Sequence, residues 1–271
     1  MLPKPYWQDM TTVDFQTLDP ERTIAVLPIA AIEQHGPHLP VATDHAIAQA
    51  CIERVVELLP EDLGVTFLPI QAVGKSNEHI SSPGTLTLSW DTVTRAWIEI
   101  GDSVHRAGVK KLLLITSHGG NVPIMDIVAR DLRVRHDMLA VSTGWARFGQ
   151  PEGLYPAHES AYGIHGGDME TSIMLAARPD LVKMDLAEDF KSTQLNFLQE
   201  FKHLRAHGAA QFGWKAQDLN LTGAVGDASN ANAQKGEKSI DHAARGFIDL
   251  CRDMEAFALE RLWSPEQSPG A

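Results

Sequence analysis

Apolar residues in this chain fall in short unbroken runs, separated by stretches of helical spacing. Residues 23–30, Thr-Ile-Ala-Val-Leu-Pro-Ile-Ala, form one run; 65–70 and 111–116, with its Leu-Leu-Leu-Ile core, form two more. Runs of this length suit strands buried on both faces. Residues 44–58 place Ile47, Cys51, Val55 and Leu58 on one helical face, and 90–107 place Val93, Trp97, Ile100 and Val104 on another, with Gly108 as a stop. Helices over 122–134 and 168–177, a strand over 138–143 and a long amphipathic helix over 236–262 follow. Alternating strands and helices predict an α/β fold with a mostly parallel central sheet and helices on both faces. Residues 74–84 read as loop, with turn chemistry at Pro83-Gly84. Residues 185–222 are less periodic and are expected to form helical excursions and a substrate-determining flap within a single domain over 1–271. The tail, 264–271, is expected to fray.

Charge narrows the partners. With 23 Lys and Arg against 35 Asp and Glu, the net charge is −12. That argues against nucleic acid and against anionic membrane surfaces, and points to a small-molecule substrate. No apolar run reaches membrane-spanning length. Cys51 and Cys251 are the only cysteines, too few for a disulfide framework. The N-terminus lacks the apolar core of a signal peptide, so a cytoplasmic location is expected.

The chemistry gathers where runs end. Directly after the first run comes Glu33-Gln-His35-Gly-Pro-His38-Leu-Pro-Val-Ala-Thr-Asp44. Its prolines and glycine keep it out of a helix, so its side chains can converge. Carboxylate and imidazole donors suit zinc, manganese or iron. Ser117-His118-Gly119-Gly120-Asn121 follows the 111–116 run, and His165-Gly-Gly-Asp-Met-Glu170-Thr-Ser enters a helix. Open α/β sheets build sites outside the carboxyl ends of their strands, so all three clusters can meet at one edge. Each has a plainer explanation alone. The first can be a histidine-rich polar loop. Gly119-Gly120-Asn121 can be a tight turn with Asn121 as helix cap. Its glycines can cradle an anion, but the lysine and spacing of a phosphate loop are missing. Glu170 can be an early-helix carboxylate favoured by the dipole.

The motifs E-Q-H-G-P-H-L-P-x-x-x-D, S-H-G-G-N and H-x-x-x-x-E-T-S make the reading more specific. With them stand Gly223-Ala-Val-Gly226-Asp227 followed by Lys235-Gly236, and the Gly74–Thr85 loop carrying Glu78-His79. Together they resemble the creatininase family from about Trp7 to the C-terminal helix. The resemblance implies a three-layer α/β/α sandwich and a divalent metal centre of one or two ions (Zn, Mn or Fe). It also implies hydrolysis of a small amide, lactam or cyclic carbonyl substrate through a metal-activated water, and a homo-oligomer, with a hexamer among the forms the family takes. Carried over by position, Glu33 and His118 bind one ion, His35 binds the other and Asp44 bridges, while His165 moves protons.

The chain departs from the creatinine-hydrolysing pattern at two places. Gly120 stands where those enzymes have a glutamate ligand, and Ala161 where they have a tryptophan. Creatinine is therefore not the expected substrate. Either Glu170 supplies the missing carboxylate or the second ion's shell stays short; Glu170 is also a proton-transfer candidate. Gly119, Gly120, Asn121, Glu78, His79 and Trp145 are candidates for substrate binding, and His38 for support of the loop. The alternative function is a non-catalytic metal-binding or assembly protein of the same fold.

Overall fold

The computed structural model describes residues 1–263, so the expected fraying at 264–271 lies outside the described residues. The chain runs α1 (Thr12–Gln16), β1 (Ile24–Ile29), α2 (Thr43–Leu58), β2 (Val65–Phe67), α3 (Trp90–Arg106), β3 (Lys111–Thr116), α4 (Val122–His136) and β4 (Leu139–Gly144). It continues through α5 (Ala157–Tyr162), α6 (Asp168–Ala177), β5 (Asp189–Phe190), α7 (Gln194–Glu200), α8 (Ala216–Leu219), β6 (Gly226–Asp227) and α9 (Ala233–Ala256).

Four strands form one parallel sheet in the order β2-β1-β3-β4. Every residue of β1 and β3 is buried, as their unbroken apolar runs require. The period of two is hidden inside those runs. Ile24 and Val26 of β1, with Leu113 and Ile115 of β3, face one core that α2, α6 and α9 cover. Ala25, Leu27 and Ile29, with Leu112 and Leu114, face the other, which α3 and α4 cover. The three layers are thus helix, sheet and helix. A small antiparallel ladder, β5 with β6, lies apart from this sheet.

The element limits differ from expectation in explicable ways. β2 stops at Phe67, because Pro69 has no N–H to continue the ladder. α4 runs on to His136, where Asp137 ends it in a left-handed conformation, φ 55°. α9 begins at Ala233 because Asn232 caps it, its side chain accepting from the Lys235 N–H at 3.1 Å. It ends at Ala256, short of 262. Among the described residues no helix is long and apolar enough to cross a membrane.

Strand order locates the site. From β1 the chain crosses by α2 to β2 on one side, then by α3 to β3 on the other side of β1. The order therefore reverses between β1 and β3, and a crevice opens at their carboxyl ends. Glu33 and His35 leave β1 there, and His118 leaves β3.

Candidate metal centre

Asn121 shapes the crevice. Its amide donates to Ala30 O (3.1 Å) and Thr116 Oγ1 (3.2 Å), and its Oδ1 accepts from Lys75 N (2.9 Å). It thereby ties together the segments that follow β1, β2 and β3. It is fully buried and makes no side-chain helix cap. The Asn121 side chain, a candidate for substrate binding, is thus engaged in holding the crevice together.

Glu33, His35, Asp44, His118 and Glu170 converge as expected. His35 Nε2 lies 3.9 Å from Glu33 Oε1, 3.7 Å from Asp44 Oδ1 and 3.8 Å from Glu170 Oε2. His118 Nδ1 lies 3.1 Å from Glu33 Oε1 and 3.8 Å from Asp44 Oδ2. Asp44 thus turns one oxygen toward each histidine, the arrangement a bridging carboxylate needs. Glu170 supplies a carboxylate on the His35 side, while Gly120 has none to give. Donors bound to one ion at about 2.1 Å lie roughly 3 to 3.5 Å apart, close to the spacing seen.

The proton positions also suit a metal. His35 Nδ1 is 3.0 Å from Glu33 O, and His118 Nε2 is 3.0 Å from Lys75 O. A carbonyl only accepts, so each ring carries its N–H there and turns its other nitrogen toward the carboxylates. Glu33 Oε1, His35 Nε2 and Asp44 Oδ2 are buried and have no hydrogen-bond partner. Three orphaned donors aimed at one region are what a cation would satisfy. The residues therefore fit a divalent ion.

Electrostatics agree. Burial opposes charge on Glu33, but His118 outweighs it, with His79 and His165 adding to the effect, and the carboxyl is held well below the usual range. Burial and then Glu33 push Asp44 up to about 7. His35 rises to about 9, since Asp44, Glu170 and Glu33 overcome its burial. A cluster this acidic gathers protons, and a divalent ion would displace them.

His165 has a different character. Burial, then His35 and His79, hold it well below its ordinary value, so it is neutral. Its ring stacks on His35 at 4.1 Å and on His79 at 4.3 Å. Nε2 lies 2.6 Å from Gln34 O and so carries the proton. Nδ1 is left bare, 3.7 Å from Glu33 Oε1. His79 Nε2 also faces Glu33 Oε1, at 3.5 Å. Two residues that the motifs did not single out for a role complete this shell. Ser76 Oγ donates to Glu33 Oε2 at 2.5 Å, and Gln34 Nε2 donates to His79 Nδ1 at 2.7 Å and to Gly223 O at 3.0 Å. Gln34 lies inside the first motif, and its place between two candidate ligands was the available signal.

Two openings meet at this centre. Glu78, His79, Gly119 and Gly120 line a polar cleft, whose far wall is His207, Phe212 and Trp214 from the aperiodic 185–222 segment. Trp145, a candidate for substrate binding, lines a second and more enclosed cavity. His38 is support: Nε2 pairs with Thr171 Oγ1 at 2.9 Å and the ring stacks on Phe190. Lys235 and Gly236 are structural too. Lys235 Nζ reaches buried Asp168 at 2.5 Å, and a Cβ on Gly236 would lie 2.0 Å from Ser172 O, where α9 meets α6. Sequence reasoning missed Glu159, which accepts from Asp168 N (2.8 Å) and Asp227 N (2.9 Å) and so joins the start of α6 to β6. Burial pushes the Cys51 thiol up to about 12, which removes it as a nucleophile at neutral pH.

The chain is similar to several known proteins in sequence and in fold. The mycofactocin precursor peptide peptidase of Mycolicibacterium smegmatis is 29% identical over 229 residues, which cover 83% of either chain. The creatinine amidohydrolase of Pseudomonas putida is 28% identical over 246 residues, covering 85% of this chain and 89% of its own. A solved glutamate-to-glutamine variant of creatininase, described as the Zn-Zn type, is 25% identical with a TM-score of 0.75, covering 94% of this chain and all (100%) of its own. The sequence model of the creatininase family, described as creatinine amidohydrolase, matches residues 8–251, and the chain belongs to that family.

Proposed function

We propose that this protein is a metal-dependent hydrolase of small amides, with a substrate other than creatinine. The observation that carries the reading is the set of orphaned, buried donors Glu33 Oε1, His35 Nε2 and Asp44 Oδ2 beside a neutral His165. The names of its relatives, an amidohydrolase and a peptide peptidase, support amide chemistry. Glu33, His35, Asp44, His118 and Glu170 would hold one or two ions, with zinc supported by the solved Zn-Zn relative. When bound, such an ion supplies Lewis acidity and brings the pKa of a water from 15.7 to about 7.

The chain's own groups do the rest. His165 Nδ1, bare and at the cleft wall, accepts the proton of the attacking water and passes it to the departing amine. The hydroxyl adds to the carbonyl carbon, the C–N bond breaks, and an acid and an amine leave. Backbone N–H groups of Gly119 and Gly120 stand at the cleft wall as donors to the developing oxyanion. Glu170 anchors its carboxylate on Gly166 N at 2.5 Å, which fixes it against His35.

The test is a metal-stripped protein reloaded with Zn²⁺ or Mn²⁺ and assayed against lactams, formamides and short peptide amides. Turnover that requires the ion supports the reading. Asp44→Ala should lose both metal, by elemental analysis, and activity, while keeping its circular dichroism. Unchanged metal content in that variant would remove the bridging role.

A further inference from the structure

We infer that the enclosed cavity beside the metal centre is a side-chain pocket for an aliphatic or phenyl group of four to six carbons flanking the scissile amide. The inference rests on the amide-hydrolase reading and narrows its substrate to acyl or peptidyl amides with one apolar residue.

The cavity measures about 150 Å³. A dry apolar cavity of roughly that volume holds a benzene-sized guest. Ile47 and Cys51 of α2, Met169 and Ile173 of α6, and Ala243 of α9 form its apolar wall. The cavity's position gives it a use. Ser117, His118, Gly119 and Glu170 border both this cavity and the open polar cleft. A carbonyl held at the centre can therefore send an apolar branch into the cavity and leave the polar remainder of the substrate in the cleft.

A second observation comes from the cavity's polar atoms. Ser117 Oγ, Trp145 Nε1 and Gln150 Oε1 all belong to residues lining it, and none has a hydrogen-bond partner. Trp145 is only 3% exposed. A buried indole N–H ordinarily finds an acceptor. Here all three atoms are covered rather than open to the cavity, so the surface it offers a guest is mainly apolar.

Two substrate series test the pocket on the metal-loaded protein. They are fluorogenic amides carrying Gly, Ala, Val, Leu, Phe or Trp on the acyl side or on the amine side of the scissile bond. In one of the series, kcat/KM should rise about 10-fold or more from Ala to Leu or Phe, as pocket burial of added methylenes gives, and fall for Trp. Ala243→Leu fills the cavity and should move the optimum back to Gly or Ala; Ile173→Ala enlarges it and should move the optimum to Trp. The second variant decides the matter if the first fails to fold. A readout without turnover is xenon at the cavity in pressurised crystals of metal-stripped protein, present in wild type and lost in Ala243→Leu. If amides are cleaved but neither folded variant shifts the preference, the pocket is overturned and the hydrolase reading stands. An ordered water cluster filling the cavity with no xenon has the same consequence. If no amide in either series is cleaved, the hydrolase reading falls, and the substrate assignment falls with it.

Discussion

Glu78 occupies the space that a side chain on Gly120 would need. A Cβ at Gly120 would lie 2.3 Å from Glu78 Oε1, 2.4 Å from His118 Nε2 and 2.8 Å from Lys75 O. The glycine at position 120 and the carboxylate at 78 are therefore sterically linked.

Gly120→Ala should follow from that link. The Glu78 carboxylate can swing aside, but the His118 ring and the Lys75 carbonyl are held by their mutual hydrogen bond. Overpacking of this kind costs about 1–3 kcal/mol. A lowered melting temperature and weakened zinc binding are expected. A variant with both unchanged would show that the contact is loose.

Glu78→Gln keeps the size and removes the charge. Glu78 Oε1 lies 3.3 Å from His118 Nε2, the nitrogen that also serves Lys75 O. Removing a carboxylate behind a ligating imidazole weakens metal binding by about 10- to 100-fold. Competition with a calibrated chelator measures the loss. Full affinity in the variant would mean that the Lys75 carbonyl alone sets the ring.

Glu170→Gln separates a ligand from a proton carrier. If Glu170 completes the shell on the His35 side, the metal-to-chain ratio falls by one equivalent and the other ion stays. An unchanged ratio with lost turnover would make Glu170 a proton-transfer residue. Adding zinc to stripped wild-type protein at 100 times its Kd should stabilise the fold by about 2.7 kcal/mol, or roughly 5–10 °C, and by less in the variant.

His38 predicts a pH dependence. Burial first, then His35, lowers it to about 4, so the folded protein keeps it neutral. In the unfolded chain it titrates near its ordinary value of about 6.5. A depressed histidine contributes no loss above that value, and its loss grows as pH falls from about 6.5 through 4, where the unfolded state binds the extra proton. His38→Gln, measured by denaturant unfolding in chelator, should flatten the part of the stability curve between those values. Parallel curves for wild type and variant would show that His38 is protonated in the fold.

The sequence alone determined the layers and brought out most of the candidate metal centre. Unbroken apolar runs at 23–30 and 111–116 read as strands covered on both faces, and motifs at their ends could then meet at one edge of a parallel sheet. Glu33, His35, Asp44, His118 and Glu170 were legible because each follows a strand or starts a helix, where local pattern fixes its place. Tertiary structure alone decided the rest. Asn121 read as a cap or a substrate contact until three separate segments were seen to meet on its amide. Glu78 gained its meaning from a glycine 42 positions away, a relation of space that no spacing rule encodes. Trp145 belongs to a cavity between four helices and two strand ends rather than to the cleft. Local patterns report which face of an element is buried. Which buried faces enclose an empty volume, and which polar atoms are left unpaired beside it, depends on contacts between residues far apart in the chain.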